Sequence, residues 1–149
     1  MSNQQKLAIV TGGGSGLGLA IAKAFTSNNV KTIIVGRDEE KLKTAKAELG
    51  ENGFYKVCDL SDLSTIPALI ENIIAEFGQI DILVNNAGIN QKKVFEEVTD
   101  EEFQRILTTN VTAVFSISRE VVKDMLKRKS GCIINISSMA AQYGLPKVI

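Results

Sequence analysis

Residues 11–18 read TGGGSGLG, and their neighbours on either side decide how the chain folds. Before them stands KLAIVT (6–11), a short β-branched run; after them comes a stretch of helical period. A glycine-rich turn between a buried strand and an amphipathic helix lets the backbone approach a pyrophosphate closely. The helix start then offers free N–H groups and the positive end of its dipole. A flexible glycine linker is the alternative, but such linkers do not usually join a buried strand to a helix. A P-loop would need Lys-Ser/Thr after its last glycine, whereas Gly18 is followed by Leu19 and Ala20. G-x-G-x-x-G fails in both registers, meeting Leu17 from Gly12 and Leu19 from Gly14. The spacing that fits is T-G-x-x-x-G-x-G, on Thr11, Gly12, Gly16 and Gly18.

Outward from this loop, β-branched runs alternate with helical segments. KTIIVG (31–36), FYKVC (54–58), DILVN (81–85) and CIINIS (132–137) join KLAIVT as strands, apolar throughout as expected of strands buried on both faces. Helical segments between them give a βαβαβ pattern and therefore a parallel α/β sheet in a single unit over 1–149. The first helix presents Leu17, Ala20, Ile21, Ala24 and Phe25 on one face. A second begins near Asp38, and a third runs from Ser61 to about Phe77, stopped by Gly78. A fourth opens at TDEE, where Thr99 and Glu102 have capping-box spacing. Its stripe is Phe103, Ile106, Leu107, Val111, Val114, Val121, Val122 and Met125, with Gly131 after its end and a bend or break expected at TTNVT (108–112). Asn110 falls on that stripe, where an amide must be fully hydrogen-bonded.

Bulk properties exclude several functions. Lys+Arg and Asp+Glu each number 17, so no basic excess points to nucleic acid or a membrane surface. The apolar runs are too short to span a bilayer, and MSNQQK is no signal peptide. With no histidine in the chain, a Ser-His-Asp triad and a histidine zinc site are ruled out. Cys58 and Cys132 lack metal or redox spacing and are expected to be core thiols in a reducing cytoplasm.

T-G-x-x-x-G-x-G resembles the glycine motif of the short-chain dehydrogenase/reductase family in its single-domain branch. The longer epimerase-type branch would need glycine at Ser15. NNAG (85–88) after the fourth strand is similar to the family's sheet-bracing turn, which lines the adenosine ribose; alone it could be an ordinary turn. Asp59 in CDLSD (58–62) matches the family's acceptor for the adenine amino group, and could equally cap a helix near Ser61. Asn110 matches the asparagine that kinks the helix and holds a water in a proton relay, against a satisfied core asparagine at a helix break. The resemblance implies a doubly wound, Rossmann-like sheet of order 3-2-1-4-5-6-7, incomplete here on its C-terminal side. It implies cofactor positions at Gly12, Ser15, Gly16, Leu17, Gly18, Arg37, Asp59, Leu60, Asn86, Ala87 and Gly88, and no metal.

NAD enzymes of this fold carry an acid at the end of the second strand, where this chain has Gly36 followed by Arg37. A guanidinium there can fork a 2′-phosphate, so NADP(H) is expected and NAD disfavoured, although Arg37 could simply open a charged helix beside Asp38. In the family a serine holds the substrate oxygen, and a tyrosine activated by a lysine one turn later moves the proton. IINISSMAA (133–141) resembles the serine segment, with Ser138 as that serine and Ser137 in the strand. Tyr143 and Lys147 have the right letters but the wrong context. Pro146 and Gly144 oppose a helix between them, and the family tyrosine lies roughly a dozen residues beyond the serine, on the next helix. The chain is thus expected to be an oxidoreductase acting on a small carbonyl or alcohol substrate, stopped before its tyrosine and lysine, and inactive in this form. The full-length form is expected to be a homo-oligomer. The alternatives are a non-catalytic dinucleotide-binding module and an inactive remnant.

Overall fold

The five β-branched runs all form strands in a computed structural model that describes residues 5–144. They are β1 (Leu7–Thr11), β2 (Lys31–Gly36), β3 (Gly53–Val57), β4 (Ile82–Asn85) and β5 (Cys132–Asn135). All pairings are parallel, in the order β3-β2-β1-β4-β5. Five α-helices connect them: α1 (Gly16–Ser27), α2 (Glu39–Leu49), α3 (Ile66–Phe77), α4 (Asp100–Leu107) and α5 (Ala113–Arg128). One core packs Ile9, Ile33 and Leu83 under Ile66, Ile73, Ile117 and Val121 of α3 and α5. The other packs Val10, Ile34 and Val84 under Ala22, Leu42 and Leu49 of α1 and α2. Alternate residues of each strand serve opposite cores, which makes this a doubly wound, Rossmann-like sheet.

Burial on both faces holds for the inner strands and fails at the edges. Every residue of β1 is buried, whereas β3 keeps one buried residue and β5 none. Being outermost among the described strands, these two have a sheet neighbour on one side only. Cys58 is buried but Cys132 is exposed at the start of β5, so only one of the two cysteines is a core thiol. β5 ends at Asn135, which leaves Ser137 outside the strand.

The face of α1 also differs from the one its apolar letters suggest. Its buried residues are Gly18 and Ala22, with Ile21 and Phe25 half-buried, while Leu17, Ala20 and Ala24 are exposed. The cause is Gly18: a Cβ there would lie 2.4 Å from the Gly12 carbonyl oxygen, so α1 turns its smallest residue onto the loop and takes its rotation from that contact. α3 begins at Ile66, after a 3₁₀ turn over Leu63–Thr65 that Asp62 caps through the Ser64 N–H.

The break in the long helix falls at the expected residues. Thr108–Thr112 is a single π-helical stretch between α4 and α5, and the Thr99–Glu102 capping box is complete on both sides. The wide turn re-phases the helix. Ala113, Ser116, Ile117, Val121 and Met125 of α5 are buried, while Phe103, Val111 and Asn110 are turned out to solvent. Asn110 therefore leaves the apolar stripe on which its spacing put it. At the far end, Lys129 in the left-handed conformation closes α5, ahead of Gly131. There Arg128 binds Asp124, Asp81 and the Ile80 carbonyl, and Asp81 accepts the Leu7 N–H. This cluster pins the end of α5 to the start of β4 and so fixes where its other end stands above the sheet.

Candidate active site

The described residues that sequence assigned to the cofactor and the substrate lie toward the C-terminal ends of the strands, the side on which open parallel sheets bind ligands. The centre is the Thr11 hydroxyl at the end of β1. It accepts hydrogen bonds from the Asn86 and Ala87 N–H groups, both at 3.0 Å, and donates to the Val84 carbonyl at 3.3 Å. The Asn86 amide returns two bonds, to the Thr11 and Gly12 carbonyls at 3.1 and 3.3 Å. Gly12, at φ +65°, is pressed so close to this turn that a Cβ would meet Ala87 Cα at 2.9 Å. The glycine loop and the Asn86–Gly88 turn thus form one braced floor.

Above that floor the loop is open. Ser15, Gly16 and Leu17 are exposed, and Ser15 precedes α1 without a side-chain cap bond, so its hydroxyl and the first-turn N–H groups remain for an anion. Arg37 is exposed after β2, and no ion pair engages it among the described residues. Asp38 is committed elsewhere: one oxygen accepts the Lys41 N–H at 3.1 Å and the other faces Lys41 Nζ at 3.5 Å. Asp59 takes the Ser61 N–H and hydroxyl on a single oxygen, at 3.0 and 2.7 Å. These two bonds hold its carboxyl below the ordinary value, and Arg37 nearby adds to the effect. Asp59 caps no helix, because the turn that follows is capped by Asp62. Leu60 is buried beside it.

Asn110 meets the other side of the site. Its carbonyl accepts the Ile89 N–H and its amide donates to the Ile89 carbonyl, both at 2.9 Å, which places it against Gly88. Both ends of the amide are engaged, though the residue is exposed and not in the core, and a second N–H and a second lone pair are left over. Ser138 follows β5 and starts a 3₁₀ turn over Met139–Ala141, its hydroxyl oxygen accepting the Ala140 N–H at 3.1 Å. Tyr143 is 63% exposed just beyond, and Lys147 lies outside the described residues.

Two features of the site were not worked out from sequence, although Asn85 belongs to the NNAG segment matched to the family's sheet brace. Asn85 is buried and donates to Ser118 of α5 at 3.0 Å and to Asn135 of β5 at 2.8 Å, leaving its own oxygen unpaired. An asparagine closing each of two neighbouring apolar strands was the available signal. The loop after Gly88 is also clamped to α4, with Gln91 and Lys93 on Glu102 and Arg105 on Gln91. Residues this far apart in sequence left no pattern to read. A cleft of about 750 Å³ between β3 and α3 touches the site only at Asp59. Among the described residues no acid–cysteine cluster could hold a metal ion, and no helix is long and apolar enough to cross a membrane.

Residues 6–149 match the sequence profile of a family described as short chain dehydrogenase. The 3-oxoacyl-(acyl-carrier-protein) reductase of Salmonella typhimurium is 38% identical over 144 residues, covering 97% of this chain and 59% of that protein. An actinorhodin polyketide ketoreductase solved with NADPH superposes at a TM-score of 0.91 with 34% identity, over 96% of this chain and 57% of its own. An NAD⁺-bound xylitol dehydrogenase does so at 0.91 with 29% identity, over 99% and 58%. The chain therefore spans somewhat under two thirds of the length of these relatives.

The brace at Thr11 makes a direct prediction. Thr11→Val keeps the side-chain shape but strands two N–H groups, each worth about 1–3 kcal/mol when buried and unpaired. Urea unfolding followed by circular dichroism should show a loss of about 2–4 kcal/mol, reduced if water reaches the turn. A change below about 1 kcal/mol would mean the brace is dispensable.

Proposed function

We propose that this chain, which belongs to the short-chain dehydrogenase family, is the dinucleotide-binding part of an NADP(H)-dependent oxidoreductase that interconverts a small carbonyl compound and its alcohol. The observation that carries the choice of NADP(H) is the pairing of Asp38 with Lys41, beside an Arg37 that forms no ion pair among the described residues. An acid that selects NAD must offer its oxygens to both ribose hydroxyls. Asp38 gives one oxygen to the Lys41 N–H as the cap of α2 and faces an ammonium group with the other, while the guanidinium next to it suits a 2′-phosphate.

In this reading Gly12, Ser15, Gly16, Leu17 and Gly18 hold the pyrophosphate, Asp59 and Leu60 the adenine, and Asn86, Ala87 and Gly88 the ribose. The fit is supported by the Gly12–Ala87 contact, which no side chain could enter, and by the free Asp59 oxygen that can accept an amino group. A bound nicotinamide supplies or takes up the hydride. The Ser138 oxygen already accepts the Ala140 N–H, so its own proton is available for the substrate oxygen. The leftover N–H and lone pair of Asn110 can hold a water that passes protons. The tyrosine and lysine that would complete this chemistry are not Tyr143 and Lys147, so the 149 residues bind cofactor without turning over. Assembly of the full-length form as a homo-oligomer is supported by the exposed Phe103, Val111, Phe115 and Leu126 along α4 and α5. A reducing cytoplasm suits the exposed thiol of Cys132.

Cofactor choice is tested by Arg37→Ala. This variant should weaken NADPH by about 1–3 kcal/mol and leave NADH nearly unchanged in paired titrations. Equal loss for both would remove the basis for NADP(H). Incubated with NADPH and a panel of ketones, the chain should consume no cofactor above background; activity abolished by Tyr143→Phe would instead make Tyr143 the proton donor. Light scattering on the 149-residue chain should show self-association, driven by these side chains and by the open β5 edge. A monodisperse monomer would contradict that expectation.

A further inference from the structure

The first turn of α2 forms one wall of the glycine loop. A Cβ on Gly14 would lie 3.5 Å from Leu42 Cδ2 and 3.7 Å from Lys41 Cβ, and a Cβ on Gly36 would lie 3.5 Å from Leu42. The loop, the end of β2 and the start of α2 therefore meet along one seam, with Arg37 on the β2 side and Lys41 on the α2 side. Lys41 is 71% exposed and held only by the 3.5 Å contact to Asp38, the kind of surface pair that contributes little. The other acids of this turn face away: Glu39 and Glu40 pair with Lys43 at 3.3 and 2.9 Å, and Glu39 also meets the Tyr55 hydroxyl at 3.5 Å. The charges at the seam are then Arg37 and Lys41 against Asp38, with Asp59 near enough to Arg37 to feel its charge.

We infer that Lys41 is a second determinant of the 2′-phosphate, exchanging Asp38 for the phosphate and closing on it from α2 while Arg37 holds it from β2. The inference rests on the NADP(H) reading above. A phosphate carrying close to two charges competes well with one exposed carboxylate. Asp38 keeps its bond from the Lys41 N–H throughout, so the helix cap survives the exchange. Asp38 thereby stores the ammonium group beside the place where the phosphate arrives.

The test compares NADP⁺ with NAD⁺, which differ only in that phosphate, by calorimetry on the unmodified chain and on Lys41→Met, Lys43→Met and Arg37→Ala. Lys41→Met keeps the stem and should weaken NADP⁺ about tenfold, flatten its salt dependence and leave NAD⁺ unchanged. Unchanged NAD⁺ affinity also reports that the variant is folded. Lys43→Met, already paired with acids, should change neither. Loss with Arg37→Ala but not with Lys41→Met would overturn this inference alone. No selective loss with Arg37→Ala would overturn the NADP(H) reading itself.

Discussion

One hydroxyl group holds the ligand side of this molecule together. Where β1 and β4 end, their backbones diverge, one into the glycine loop and the other into the Asn86–Gly88 turn. Parallel pairing can no longer satisfy the N–H groups there. Thr11 closes the gap by accepting two N–H groups of one strand's turn and donating to that same strand. Gly12 can then sit directly on Ala87, and Gly18 directly on Gly12, so two helix–loop–strand connections share one floor. Valine would fill the same space but supply none of these bonds.

The rest of the site is suspended from that floor by amides. Asn86 reaches back to the glycine loop, Asn110 grips Ile89, and Asn85 joins α5 to the end of β5. An amide presents a donor and an acceptor at fixed spacing, which lets it stand in for a missing strand neighbour. The π-helical turn belongs to the same arrangement. It rotates Asn110 away from the core so that its amide can pair with a loop in the manner of another strand. The unpaired Asn85 oxygen is an acceptor in this network that no group among the described residues meets.

Charge is distributed with similar economy around α2. Asp38 ends the loop after β2, caps the helix and holds Lys41, while Glu39 and Glu40 are occupied by Lys43. Arg37 is thus left as the cation facing the end of β2. The apolar side chains exposed along α4, α5 and β5 are the opposite case, covered among the described residues only where Arg119 lies 5.4 Å over the Phe115 ring.

The fold class, the loop type and the break at 108–112 could be read from sequence, because each follows from local pattern: β-branched runs, glycine spacing, a capping box and a polar interruption of a stripe; the strand order came only with the family resemblance. Gly12 and Asn110 drew notice by their local setting, a strand-to-helix turn and an apolar stripe, whereas Asp59, Asn86 and Ser138 were singled out only through the resemblance, since an acid, an amide or a serine after a strand has several local readings. Three things were decided only by tertiary structure. The rotation of α1 came from the contact between Gly18 and Gly12, not from its own apolar letters. Asn110 became an exposed clamp because the wide turn changed the helix phase, which no periodicity count anticipates. The role of Asn85 was set by partners on α5 and β5, 33 and 50 residues away, that no local pattern brings together. Local pattern fixes what a segment becomes; which face it turns, and which partners its amides meet, is set by long-range contacts that exist only after the chain has closed on itself.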